Sequence, residues 1–200
     1  MDIAERLRAD DRLEPVSRTE VMQYWLANEV EVESDAPDPD DLPTEPGLRE
    51  ELVDRKPIAA RVFGAEEAEW YLTELSVDEL RDLQVVVGPE SEGWRAFADD
   101  GRIGAVAKRI IEADDATEFD AKAEEDFEEV ASLADDIEAS GTNGRLVVVE
   151  EGDDPAYVAD GNHRAVAQVL SLLRDEAKNG ETDEKREVYF GVRPGATARS

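Results

Sequence analysis

Two short apolar runs, a glycine-centred turn and a long amphipathic stretch follow one another between residues 146 and 173, and this order leaves few folds open. Leu146-Val147-Val148-Val149 and Tyr157-Val158-Ala159 are β-branched or aromatic and too short for helices, so each reads as a strand. Asp160-Gly161-Asn162-His163-Arg164-Ala165 then leads into a helix on which Val166, Val169, Leu170 and Leu173 line one face. Strand, glycine turn and helix in succession predict an α/β or α+β domain, a small mixed sheet with helices packed against it. The turn holds the chain's only histidine. N–H groups at a helix start and the helix dipole attract anions, and a glycine lets the backbone approach a phosphate closely. Arg164 adds a forked, permanently charged donor. The plain alternative is a turn capped by Asn162 with a solvated Arg164.

Charge gives that arginine its interest. Fifty-two acids face 22 bases, for a net charge of −30. Only Lys56, Lys108, Lys122, Lys178 and Lys185 among those bases are lysines, and the acids run the whole length of the chain. A global excess of this kind, with an arginine bias, predicts a salt-adapted cytoplasmic protein from a halophilic archaeon or its virus. At 1 M salt the screening length falls to about 3 Å, which makes such self-repulsion tolerable. Direct DNA binding is disfavoured, because it needs clustered Lys and Arg and weakens steeply with salt. Lys108-Arg109 and Lys185-Arg186 are isolated pairs.

The absence of cysteine excludes disulfides, thiolate metal sites and thiol nucleophiles together. No run of about 18 apolar residues suggests a membrane span. The charged start Met1-Asp2-Ile3-Ala4-Glu5-Arg6 lacks the apolar core of a secretion signal, so the expected location is the cytoplasm, or a virion if the gene is viral.

Ser17-Arg18-Thr19-Glu20 has the form of a capping box, followed by the apolar Val21, Met22, Tyr24, Trp25 and Leu26. Residues 33–47, with Pro37, Pro39, Pro43 and Pro46 among acids, read as an extended linker unable to form a helix. The expected organisation is a helical extension over 1–32, the linker over 33–47, one domain over 48–195 and a tail over 196–200. A helix on a tether suits docking to a protein partner, while aromatics at helical spacing are more often core. Further along, 69–75 and 83–87 read as strands, the latter ended by Gly88-Pro89, and 90–94 as a loop. Helices are expected over 103–113 and 119–139, the second carrying Phe119, Ala123, Phe127, Val130, Leu133 and Ile137 on one face.

The helix Leu133-Ala134-Asp135-Asp136-Ile137-Glu138-Ala139-Ser140-Gly141, the Val147-Val148 strand and the Gly161-Asn162-His163-Arg164-Ala165 turn, in this order, resemble the nucleotide-binding domain of the ParB and sulfiredoxin superfamily. Ser76-Val77-Asp78-Glu79-Leu80 is similar to that family's opening segment, with Ser in place of Pro. Glu187-Val188-Tyr189-Phe190-Gly191-Val192 matches its closing strand. The resemblance covers residues 68–194 and is strongest over 133–170. The Asp-Gly-x-His-Arg form is nearest the free serine kinase branch, which has a second His where this chain has Asn162. It departs from the chromosome-partition branch, which has Glu-Arg-Arg after the Gly, and no helix-turn-helix follows. Sulfiredoxin chemistry needs the thiol this chain lacks.

The resemblance implies a nucleotide site at the turn, taking ATP or ADP, or CTP, with Mg²⁺. In that reading Gly161, Asn162, His163 and Arg164 hold the phosphates. His163 bonds or protonates a phosphate oxygen, and Asp160 orients the turn or helps to hold the metal. An ATP- or ADP-dependent phosphotransferase or nucleotide hydrolase would then also need an acid to accept a proton. Glu90 and Glu92 stand near where the kinase branch carries its acids. The alternatives are a non-catalytic binding or structural protein on the same fold, and a DNA-partition accessory or ParB-like nuclease.

Overall fold

In chain order the elements are α1 (Ile3–Ala9), β1 (Pro15–Val16), α2 (Arg18–Val32), a 3-10 turn (Pro39–Asp41), α3 (Glu45–Arg55), α4 (Ile58–Val62), β2 (Glu69–Ser76), α5 (Val77–Asp82), α6 (Ile103–Glu112), α7 (Phe127–Ser140), β3 (Leu146–Glu151), β4 (Tyr157–Asp160), α8 (Asn162–Asn179) and β5 (Lys185–Arg193). The computed structural model describes residues 3–9, 13, 15–32, 37–42, 44–64, 68–85, 94, 98, 100–113, 127–141, 144–152, 154–180 and 183–193. Helices and strands mix in an α+β arrangement, and the five strands form a mixed sheet in the order β1-β2-β5-β3-β4. β1 pairs antiparallel with β2, Pro15 opposite Tyr71 and Val16 opposite Trp70. Contacts divide the chain into two compact units: residues 1–73 with 147–154 and 189–200, and residues 74–146 with 155–188.

The first unit is built on aromatics. Val21, Met22, Trp25 and Leu26 of α2 are fully buried, each contributing about 1.5–3 kcal/mol relative to exposure. Trp25 packs on Phe63 and Phe63 on Trp70, both with ring centroids 5.7 Å apart. Gly191 on β5 leaves room for Trp70, since a Cβ there would stand 2.8 Å from two of its ring carbons. α2 is therefore core and not a helix on a tether, as the position of Trp25 makes plain. Residues 37–42 and 44–47 of the acidic proline-rich stretch are also more structured than a linker. Asp38 accepts a hydrogen bond from the Asp40 amide at 3.0 Å, at the start of the 3-10 turn. Thr44 caps α3, whose first turn already includes Glu45, Pro46 and Gly47. A proline there loses nothing, because the first-turn N–H groups have no intrahelical acceptor.

Three arginines meet the C-terminal end of α4 in this unit. Arg18 donates to the carbonyls of Phe63 and Gly64, and Arg49 donates to Phe63 O at 2.7 Å. Arg193 donates to the carbonyls of Arg61 and Val62, while its Nη1 pairs with Glu151 at 2.8 Å. Cations belong at such an end, where unpaired carbonyls carry the negative pole of the helix. Glu29, nearly buried on α2, is neutralised by Lys56 at 3.2 Å.

In the second unit, α8 is the central element. Residues 165–172 are all buried, so one apolar stripe does not describe it. Over this first half the helix is enclosed by neighbours, chiefly α6 and α7, and buries the polar Gln168 and Ser171 together with its apolar residues. Leu172 takes a core position where periodicity assigned Leu173, which is only half-buried. Arg174 pairs with Asp135 at 2.7 Å and Glu138 at 3.4 Å, and Lys178 with Glu138 at 2.9 Å, tying α8 to α7. The Lys178 hydrogen bond, more than the Arg174 contact, holds the Glu138 carboxyl below the usual glutamate range. Ser76 begins α5 with a reciprocal cap: its hydroxyl accepts from Glu79 N–H, and the Glu79 carboxylate accepts from Ser76 N–H.

The expected strand over 83–87 reduces to bridges at Gln84, parallel to Tyr157 and antiparallel to Arg102. Helix α5 ends one residue before Leu83, which leaves a short connection in place of a strand. Val86 and Val87 lie outside the described residues, as do Phe119 and Ala123 of the expected long helix, described here from Phe127.

Candidate functional site

Gly161 is the N-cap of α8 and adopts φ 89°, a left-handed conformation that strains any residue with a Cβ. Space confirms the requirement. A Cβ at Gly161 would lie 3.1 Å from Leu146 Cδ2 and 3.4 Å from Arg164 Nη1. The Arg164 guanidinium thus lies back against the glycine, where a larger residue would displace it. The first intrahelical bond runs from Ala165 N–H to Gly161 O at 2.7 Å. No side chain caps the turn, and no acid occupies the helix's first turn. Asn162 is consequently not the cap: it is the first helical residue, and its Nδ2 donates back to Val158 O at 3.4 Å.

Arg164 is half-buried and donates from Nη1 to Arg145 O at 2.7 Å. One turn on, Gln168 Nε2 donates to Gly144 O at 3.3 Å, so neighbouring side chains on one face of α8 brace the entry to β3. Among the described residues Arg164 has no carboxylate partner, like Arg49 on the Phe63 carbonyl, whereas Arg18, Arg55, Arg61, Arg81, Arg102, Arg145, Arg174, Arg186 and Arg193 each pair with one. Its Nη1 is directed to a neutral carbonyl.

His163, also half-buried, meets Trp94 edge to face, with centroids 5.0 Å apart and planes at 69°. Trp94 in turn meets Phe127, the first residue of α7, at 5.9 Å and 64°. Sequence reasoning treated Trp94 as part of a loop. The available signal was a lone tryptophan among polar residues, but nothing local indicates which ring it will find.

Asp160 closes β4 and immediately precedes the glycine, half-buried. The structure therefore brings Asp160, Gly161, Asn162, His163 and Arg164 together at one strand-to-helix junction. Glu90 and Glu92 lie outside the described residues. Among the described residues no three His, Asp or Glu side chains gather within reach of one metal ion. Asp160 could still serve Mg²⁺, which is ordinarily held by one or two carboxylates together with phosphate oxygens and water. No helix among the described residues is long and apolar enough to cross a membrane.

The chain matched no protein-family model, no curated protein and no solved structure in the comparisons made.

Proposed function

We propose that the protein is a nucleotide-binding domain of ParB/sulfiredoxin-like type, with the phosphates of ATP or ADP, or CTP, held at the Gly161 turn. The observation that carries this reading is Arg164: a half-buried guanidinium without a carboxylate partner among the described residues, lying on a left-handed glycine at the start of an 18-residue helix. An anion from outside would meet the amide N–H groups, the helix dipole and the guanidinium on one turn. Asp160 would share a Mg²⁺ with the phosphates, and His163 would bond or protonate a phosphate oxygen. Phosphoryl transfer rests largely on positioning and charge stabilisation, so a phosphotransferase or nucleotide hydrolase fits this small set.

The second reading is a non-catalytic binding protein that uses the same turn as a nucleotide-responsive element. It is favoured by the engagement of both side chains in the fold, His163 against Trp94 and Arg164 on Arg145 O. Calorimetry with ATP, ADP and CTP, each with Mg²⁺ in multimolar KCl, tests the common claim, and absence of heat with all three would overturn it. Turnover of the bound nucleotide by the pure protein separates the two readings. In the enzyme, His163→Ala abolishes turnover while binding stays near the parent's.

A further inference from the structure

We propose that Gln168 is a positioning residue for Arg164, acting through the backbone that leads into β3; the inference rests on the phosphate reading of the Gly161 turn. Glutamine is a costly residue for this place. It is only 1% exposed, and its Oε1 is buried with no hydrogen-bond partner among the described residues. An acceptor left unmade in the interior lowers stability, and an apolar side chain of similar length would fill the same space without that cost. What glutamine adds is a donor: its Nε2 reaches Gly144 O at 3.3 Å. One turn earlier on the same face of α8, Arg164 Nη1 reaches the next carbonyl along the chain, Arg145 O, at 2.7 Å. Both acceptors precede β3, which begins at Leu146, so neither belongs to the strand. Glycines bound this connection, Gly141 at φ 91° and Gly144 at φ 109°, conformations that a residue with a Cβ rarely adopts. The Arg145 side chain pairs with Glu187, but an exposed pair of this kind fixes little. α8 thus grips two consecutive carbonyls with two side chains. When the Gly144 carbonyl is free to rotate, the adjoining Arg145 peptide moves with it, and Arg164 loses a fixed acceptor.

The test compares the full-length parent with Gln168→Met, which keeps length and bulk but removes the donor. In ¹⁵N spectra the Arg164 guanidinium is identified by its loss in Arg164→Lys. The parent is expected to show it with separate, slowly rotating Nη groups, and Gln168→Met with the averaged signal of a free guanidinium. Calorimetry with inorganic tripolyphosphate and Mg²⁺ in multimolar KCl is expected to show affinity lowered by about two- to tenfold in Gln168→Met, the range that one neutral hydrogen bond spans. In an Arg164→Ala background the same substitution is expected to change affinity no further, because its effect runs through the guanidinium. A Gln168 that only filled the core would move the melting temperature alone. Unchanged Arg164 signals, or tripolyphosphate affinity equal to the parent's, therefore overturn the proposal, as does an equal loss of affinity with and without Arg164. If Gln168→Met does not fold, Gln168→Glu, which keeps the shape and replaces Nε2 by oxygen, decides by the same readings. If neither folds, the parent decides: a freely rotating Arg164 guanidinium, or a Gln168 side-chain amide that exchanges as fast as an exposed one, overturns it. A parent that ignores tripolyphosphate, with Arg164 loosened by Gln168→Met, upholds the positioning role and removes the phosphate reading instead.

Discussion

Two helix ends in this protein are treated in opposite ways. The C-terminal end of α4 presents carbonyls, and the chain brings Arg18, Arg49 and Arg193 to them from distant positions. The N-terminal end of α8 presents N–H groups, and no acid stands in its first turn and no side chain caps it. With 52 acids against 22 bases, cations are the scarcer group. The end that needs scarce charge receives three of them, whereas the end that could have taken an abundant carboxylate has an arginine lying against it. α8 shows the asymmetry within itself, with Lys178 in its last turn. α4 and α6 likewise start with no acid in the first turn and no side-chain cap, whereas α5 carries Asp78 and Glu79. The comparison accounts for the α4 end by the fold alone and leaves the α8 end as the place of the proposed anion.

Removing residues 1–47 should have the largest effect. It deletes Arg18 from the α4 end and Trp25 from its stack on Phe63, so a chain beginning at Leu48 is expected to lack a cooperative melt by circular dichroism. Independent folding of that chain would return α2 to the status of an appended segment. Arg193→Ala comes next. The guanidinium is about nine-tenths buried between Glu151 and two carbonyls, and its loss should cost about 3–5 kcal/mol in urea unfolding. Nucleotide affinity of the folded fraction should be unaffected.

Arg164→Ala should give the inverse pattern. Its single carbonyl bond is worth about 1 kcal/mol of stability, while nucleotide affinity should fall by about 1.5–3 kcal/mol, read by calorimetry. Equal binding by parent and variant would break the comparison, leaving the turn as a turn. The smallest effect concerns the cation at the other end of α8. The Glu138 carboxyl is held below its ordinary range by Lys178 and then Arg174. The stability it contributes is therefore present above the unfolded-state value and is lost as pH falls through the lower folded-state value. Because the pair is solvent-accessible, Glu138→Gln should cost only about a few tenths of a kcal/mol near neutral pH. Urea melts of parent and variant should converge in acid, below the ordinary glutamate range.

Salt bears on both ends in different degrees. The acidic surface is expected to need screening, so secondary structure should be lost as KCl is lowered toward about 0.1 M. A melt insensitive to salt would remove the halophile proposal without touching the site.

How much was legible follows from how local each signal is. β2, α6, β3, β4, α8 and β5 are readable because side-chain period and punctuation by glycine and proline act within a few residues. The junction of Asp160, Gly161, His163 and Arg164 was readable for the same reason, being one continuous run. Local pattern misled where a residue's surroundings come from elsewhere in the chain. The prolines at 37–46 suggested a linker, yet Pro46 sits in the first turn of α3. The apolar residues at 83–87 suggested a strand, yet the described part, Leu83 to Val85, forms only isolated bridges at Gln84, to Tyr157 and Arg102.

By itself, then, the sequence determined the run of elements from α7 through β5, the glycine turn between β4 and α8 and the net negative charge, since backbone preference and net charge are properties of short segments and sums. Tertiary structure alone decided that Trp25 is core, that Trp94 meets His163, that Leu172 and not Leu173 is enclosed, and where each arginine goes. A periodic pattern states which face of a helix is buried. It carries no information about what covers that face, because the covering residues are chosen by chain topology over separations such as the 132 residues between Arg61 and Arg193.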